Sequence, residues 1–180
     1  MKTIKNYCET DLKTDILLKK TKKNVFEGTK INKVIINIGV KDANINANKI
    51  LPPLLITKML TQQQPLLTKA KKSIANFKLR EGKIIGCKTT LRNKNMSNFL
   101  ERFIHIVIPQ ISENNISKYK NRRNKNHITL GLNDCLIFPE LENQYDLLTS
   151  LSGIEVTLSS EEKDLNKNNL FFSGLKIKFQ

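Results

Sequence analysis

One apolar stripe constrains this chain more than any other feature. Over residues 96–111, Met96, Phe99, Leu100, Phe103, Ile104, Val107 and Ile108 recur at helical spacing, and Pro109 lies near the end. A helix so apolar on one side must be covered, and the chain offers short β-branched segments to cover it. Residues 32–39 set polar Lys33 and Asn37 around Val34, Ile35, Ile36 and Ile38 and close on Gly39, which predicts a strand. Residues 65–69, 73–79, 84–91, 128–132 and 153–159 predict further strands, with Glu81-Gly82 as a turn. Helices are predicted over 7–24 (Leu12, Ile16, Leu17), 47–61 (Ile50, Leu54, Leu55, Met59, Leu60) and 161–171. Pro52 and Pro53 suit a first helical turn, where their missing N–H groups cost little. Gln62-Gln63-Gln64-Pro65 is a break, and the polar stretch 112–126 shows no apolar period. Helices alternating with half-polar strands predict an α+β domain. Its sheet is antiparallel or mixed, with helices packed on one face and the other face left open.

The chain has 180 residues and a formal net charge of +15. That excess exceeds what solubility requires and favours a polyanionic partner, from which Lys and Arg release counterions. An anionic membrane is the other partner class, but no apolar run reaches transmembrane length. The cations form two clusters. Lys69, Lys71, Lys72, Lys78, Arg80, Lys83, Lys88, Arg92 and Lys94 are opposed only by Glu81; Lys118, Lys120, Arg122, Arg123 and Lys125 lie within the aperiodic stretch. Residues 134–164 are acidic by contrast, so the charge is polarised. One end should face phosphate and the other should face solvent or a basic protein. Phe77, between Asn76 and Lys78, suits either stacking on RNA or the core. Thr89, Thr90, Asn37 and Gln63 carry groups able to hydrogen-bond 2′-hydroxyls and phosphates.

No catalytic or cofactor-binding pattern accompanies these clusters. His105 lies on the apolar helix and His127 beside a strand, neither with a nucleophile near it in sequence. Glu140, after Phe138-Pro139, suits orienting a turn better than acid catalysis. There is no phosphate-cradling glycine loop. Cys8, Cys87 and Cys135 stand far apart, without a CxxC pair, which argues against zinc and against a disulfide framework. The chain is therefore expected to be a non-enzyme with no cofactor and no metal.

Particular strings carry a family resemblance. Thr68-Lys69-Ala70-Lys71-Lys72-Ser73-Ile74-Ala75-Asn76-Phe77-Lys78-Leu79-Arg80-Glu81-Gly82, followed by Ile85-Gly86-Cys87-Lys88-Thr89-Thr90-Leu91-Arg92, closely resembles the bacterial-type large-subunit ribosomal protein five family. Lys33-Val34 through Val40, Gln63 with Pro65, Met96 with Phe99-Leu100-Glu101-Arg102, Pro109, Ile137-Phe138-Pro139-Glu140 and Gly153-Ile154 extend it. It runs from about Lys33 to the C-terminus. The resemblance implies a twisted, mainly antiparallel sheet flanked by helices, binding 5S-type and large-subunit rRNA among the other proteins of the central protuberance. By matched position it implies 5S rRNA contacts on Lys33, Asn37, Gln63, Thr68, Thr90 and Arg92, and Lys69, Lys71, Lys72 and Lys88 of the first basic cluster are expected to bind rRNA beside them. It places Phe77, Lys78 and Arg80 at a tip facing peptidyl-site tRNA, and another edge against small-subunit ribosomal protein thirteen across an intersubunit bridge. A free RNA chaperone or regulator is the alternative. On this reading residues 1–30 form a helical extension, and 31–180 form a single α+β rRNA-binding domain with a loop at 112–126.

The chain departs from the family pattern in places. The family usually has Gly where Gln62 stands and Lys where Gln64 stands. Its glycine-rich loop is here Asn121-Arg122-Arg123-Asn124-Lys125-Asn126, without glycine. Lys outnumbers Arg by 26 to five, alongside abundant Asn and Ile, as A/T-rich codons dictate. The N-terminal segment resembles neither a signal peptide nor a presequence. Together these point to a mitochondrially encoded member working in the matrix, with plastid or bacterial cytoplasm as the alternative.

Overall fold

The computed structural model describes residues 7–20, 29–44, 46–113, 120–123, 126–133, 135–144, 153–161 and 165–175. At its centre lies β1 (Ile31–Gly39), whose alternation sends Val34, Ile36 and Ile38 into the core. The other strands are β2 (Leu66–Lys69), β3 (Ile84–Leu91), β4 (Lys120–Arg123), β5 (His127–Leu132) and β6 (Ile154–Ser160). They form one sheet in the order β2-β3-β1-β6-β5-β4, and every pairing is antiparallel. Register aligns the inward rows. Val34 sits between Leu91 and Leu158, and Ile36 between Thr89 and Val156, with Leu130 opposite Val156. One face is thus apolar across the sheet, and the helices cover it, as the α+β reading expects.

The covering helices owe their ends to identifiable residues. Lys13–Lys20 (α1) follows a π turn at Cys8–Leu12 and brings Leu12 and Ile16 into the core. Residues 21–24 of the helix expected there lie outside the described residues. After a 3-10 turn at Ala47–Ile50, Leu51–Thr61 (α2) begins with its prolines in the first turn. Thr57 and Thr61 are buried without loss, because their hydroxyls donate to the carbonyls of Pro53 and Thr57, each at 2.7 Å. The last helix, α5 (Leu165–Gly174), buries Phe171 and Phe172.

The stripe read as one helix over 96–111 is a composite. Asn93–Arg102 (α3) runs through a π turn at Phe103–Val107 into α4 (Ile108–Glu113). Phe99, Phe103, Val107 and Ile111 are all buried and recur every four residues. A four-residue repeat drifts around a helix of about 3.6 residues per turn. The wider π turn absorbs that drift and keeps all four side chains inward. Phe99, Phe103 and Phe138 stack with ring centroids 5.6–6.5 Å apart. Beside them Arg102 pairs with Glu140 and donates to the Leu60 carbonyl at 3.1 Å. This joins α3 to the end of α2 and to the 3-10 turn Pro139–Gln144.

Two sequence expectations are corrected. Residues 73–79 form no strand. The chain reverses there, with a single bridge between Ile74 and Leu79, a 3-10 turn at Ala75–Phe77, and Lys78 left-handed at φ 51°. The stretch 112–126 contains β4, which pairs Arg122 with Thr129. Its residues are too polar to announce an edge strand.

The break after α2 has a physical reading. Gln62 caps the helix with φ 53° and ψ 25°, donating its N–H to the Lys58 carbonyl at 2.8 Å. A left-handed cap favours glycine, whose missing Cβ removes the steric penalty. Gln62→Gly should therefore stabilise the protein by about 0.5–1 kcal/mol, after allowing for the greater entropy of glycine in the unfolded chain. Urea denaturation checks this; a lowered midpoint would refute the cap argument.

Candidate nucleic-acid interface

The face of the sheet opposite the helices carries polar residues, and register decides which. Asn37 pairs with Lys88, Ile35 pairs with Thr90, and Leu66 of β2 flanks Lys88 on its other side. The period of two puts Lys33, Asn37, Lys88, Thr90 and Arg92 on this same face, with Thr68 beside it on β2. Lys88 and Arg92 are exposed; Lys33, Asn37, Thr68 and Thr90 are half-buried. Two hydrogen bonds fix the margin: Gln63 Nε2 donates to the Thr90 carbonyl at 3.3 Å, and Arg92 Nη1 to Asn32 Oδ1 at 3.3 Å. Hence Gln63, remote in sequence from Thr90, joins the group.

A second group stands apart from the first. Lys69 ends β2, and exposed Lys71 and Lys72 lead from it into the reversing loop that carries Phe77, Lys78 and Arg80. The loop is braced at its base. Ile74 and Leu79 exchange backbone hydrogen bonds, Glu81 N–H donates to Ser73 Oγ, and Gly82 N–H to the Ala70 carbonyl. Phe77 is 72% exposed, which removes the core reading. Between this loop and Lys41 runs an open groove of about 680 Å³, also lined by Arg80 and Lys83. Lys41 was missed in the sequence because it stands alone there; only folding brings it to the loop.

Thr89 does not join the interface. It is inward-facing, 2% exposed, and its hydroxyl has no hydrogen-bond partner among the described residues. Cys87 shares that side, its sulfur 3.2 Å from Thr57 Oγ1. Burial pushes the Cys87 thiol up from its ordinary pKa, with the Thr57 hydrogen bond pulling the other way, so the thiol stays protonated.

The acidic region is dispersed. Glu140 is held by Arg102, whereas Glu155 lies on the open face beside Asn37, whose Nδ2 donates to its Oε2 at 3.1 Å. A carboxylate thus stands within the cationic face, contrary to a clean separation of charge. Strand parity could have revealed it once β6 was known to pair with β1. Among the described residues no group of three His, Cys, Asp or Glu is placed to hold a metal ion, and no helix is long and apolar enough to cross a membrane.

The sheet thus has one apolar face under the helices and an open face bearing Lys33, Lys88 and Arg92, extended by an exposed basic loop. A family profile described as "Ribosomal protein L5" matches residues 24–80, and a second profile, for the C-terminus of the same ribosomal family, matches residues 84–179. Large ribosomal subunit protein uL5m of Reclinomonas americana is 36% identical over 177 residues, covering 98% of this chain and 97% of that protein. Large ribosomal subunit protein uL5 of Moorella thermoacetica is 35% identical over 158 residues, covering 88% and 87%. The chain belongs to the ribosomal protein L5 family. It is a structural constituent of the large ribosomal subunit, not an enzyme, and rRNA is its partner. The similarity also reaches upstream of Lys33, where the sequence strings end. The boundary between the two profiles falls at the Glu81-Gly82 turn, yet β1 pairs with β3 and β6 across it.

An unpartnered hydroxyl inside a core costs about 1–3 kcal/mol by mutational measures. Thr89→Val should raise stability by roughly 1 kcal/mol and leave RNA affinity unchanged. Thermal melting and filter binding check both halves; weakened binding would turn Thr89 outward.

Proposed function

We propose that the open face binds 5S-type rRNA in the central protuberance through Lys33, Asn37, Gln63, Thr68, Lys88, Thr90 and Arg92, with Lys69, Lys71 and Lys72 continuing the contact onto neighbouring rRNA. One observation carries the proposal: the register of β1 with β3 gathers Asn37, Lys88 and Thr90 on one face while Ile36, Ile38, Cys87, Thr89 and Leu91 enter the core. The half-buried Asn37 and Thr90 offer short, fixed groups suited to 2′-hydroxyls, and the exposed cations suit phosphates. We place the protein in a mitochondrial ribosome, on the A/T-type composition and the similarity to uL5m. The exposed Glu142 and Glu161 suit a basic neighbour, which we take to be small-subunit ribosomal protein thirteen across the intersubunit bridge.

Arg92→Ala and Lys33→Ala should each weaken binding to 5S-type rRNA by about 1–2 kcal/mol, the scale of a charge-assisted hydrogen bond. Each should also flatten the salt dependence. Filter binding over a salt series measures both, and unchanged affinity and slope would move the interface elsewhere.

The braced loop reaches peptidyl-site tRNA. Its cations Lys78 and Arg80 suit backbone phosphates, which carry no sequence, as fits a site accepting every tRNA. Lys78→Ala combined with Arg80→Ala should leave subunit assembly nearly intact while loosening peptidyl-site tRNA. Chemical footprinting of tRNA on reconstituted ribosomes decides; identical protection with and without the two side chains would remove the tRNA role.

A further inference from the structure

Glu155 is the residue least expected on a surface meant for phosphates, and its surroundings show what it could accept. It pairs in register with Asn37 on one side and Gly131 on the other. Gly131, Gly39 and Gly153 are among the residues lining an open cleft of about 440 Å³ at this end of the sheet, with Val40, Ile85 and Ile154 beside them. A Cβ added at Gly39 would meet nothing within 4 Å, so the space above Gly39 is open. Gly153, at φ 114°, runs so near the Leu132 carbonyl that a Cβ would lie 2.6 Å from its oxygen. Among the described residues that line the cleft, Glu155 is the carboxylate and Lys41 the ammonium. The Asn37 amide holds Glu155 Oε2 at 3.1 Å and so fixes the direction of the carboxylate.

A carboxylate repels phosphate and accepts hydrogen bonds. The unstacked bases that RNA-binding proteins read expose their Watson–Crick edges. Among the four bases only guanine presents two adjacent donors there, N1–H and the N2 amino group, to match the two oxygens of one carboxylate. A flat base can lie over Gly39, where no side chain stands and the space is open. Lys41 at the rim suits the phosphate of the same nucleotide. We infer that this cleft takes a single unpaired guanine of RNA, with Glu155 as the residue that selects it and Asn37 as the residue that positions Glu155. The inference rests on the open face being the RNA-binding face.

The test uses the full chain and short uridine oligoribonucleotides bearing one central guanosine, inosine or adenosine, titrated by fluorescence anisotropy. Inosine keeps N1–H and lacks the N2 amino group. The guanosine oligomer should bind about tenfold more tightly than the inosine or adenosine oligomer, the scale of a bidentate base contact. Glu155→Gln should erase that preference while binding the all-uridine oligomer at least as tightly as the parent, since a carboxylate that repels phosphate is gone, with an unchanged melting temperature. Equal binding of guanosine and inosine by the parent would overturn the inference, leaving a cationic side chain of a neighbouring protein as the better occupant. A preference surviving Glu155→Gln would overturn it too. Arg92→Ala separates the two levels. If it weakens all the oligomers while guanosine and inosine bind alike, the open face binds RNA and only the guanine site is wrong. If it weakens none, the reading of the face itself fails, and the guanine site with it.

Discussion

The structure depends on the register of β1. That strand is hydrogen-bonded on both sides, to β3 and to β6, so its alternation is imposed on the middle of the sheet. A slip of one residue would turn Val34, Ile36 and Ile38 to solvent and drive Lys33 and Asn37 into the core. Burying a lone ammonium there is far costlier than any one contact could offset. The same constraint that makes the core therefore composes the open polar face on which binding is proposed. Stability and surface chemistry are two readings of one alternation.

The helical side makes that face rigid. The stacked Phe99, Phe103 and Phe138 and the Arg102–Glu140 pair tie α3 to α2 and to the Pro139–Gln144 turn, so the layer beneath the sheet is cross-braced. Half-buried groups such as Thr90 and Asn37 then keep fixed positions. A surface that reads the shape of a folded RNA needs such fixity more than it needs reach.

Much of this was legible in the sequence, for reasons of periodicity. The stripe through Phe99, Phe103 and Val107 and the β-branched run in β1 announce their partners at 3.6- and two-residue spacing. The phase of β1 places Lys33 and Asn37 opposite its core residues from sequence alone. Three features were hidden. The π turn obeys a drift that only the packed helix resolves. The strand Lys120–Arg123 has no apolar residue, because at an edge backbone pairing suffices. Glu155 joins the cationic face only through pairing between segments 118 residues apart. The family's glycine at the position of Gln62 was a visible departure, and the left-handed cap explains it.

At the other edge, β2 pairs only with β3 in the described sheet, and Leu66 and Leu67 on its two faces are 75% and 41% exposed. Such an unfinished edge invites another chain to add a strand. Lys69, Lys71 and Lys72 stand at its end, and two copies meeting there would bring like charges together. The lysines proposed above to meet rRNA would thus also keep two copies of the chain from pairing at this edge. On that proposal one small set of ammonium groups serves the chain both before and after it meets RNA, so neutralising them would expose the edge as well as weaken the contact.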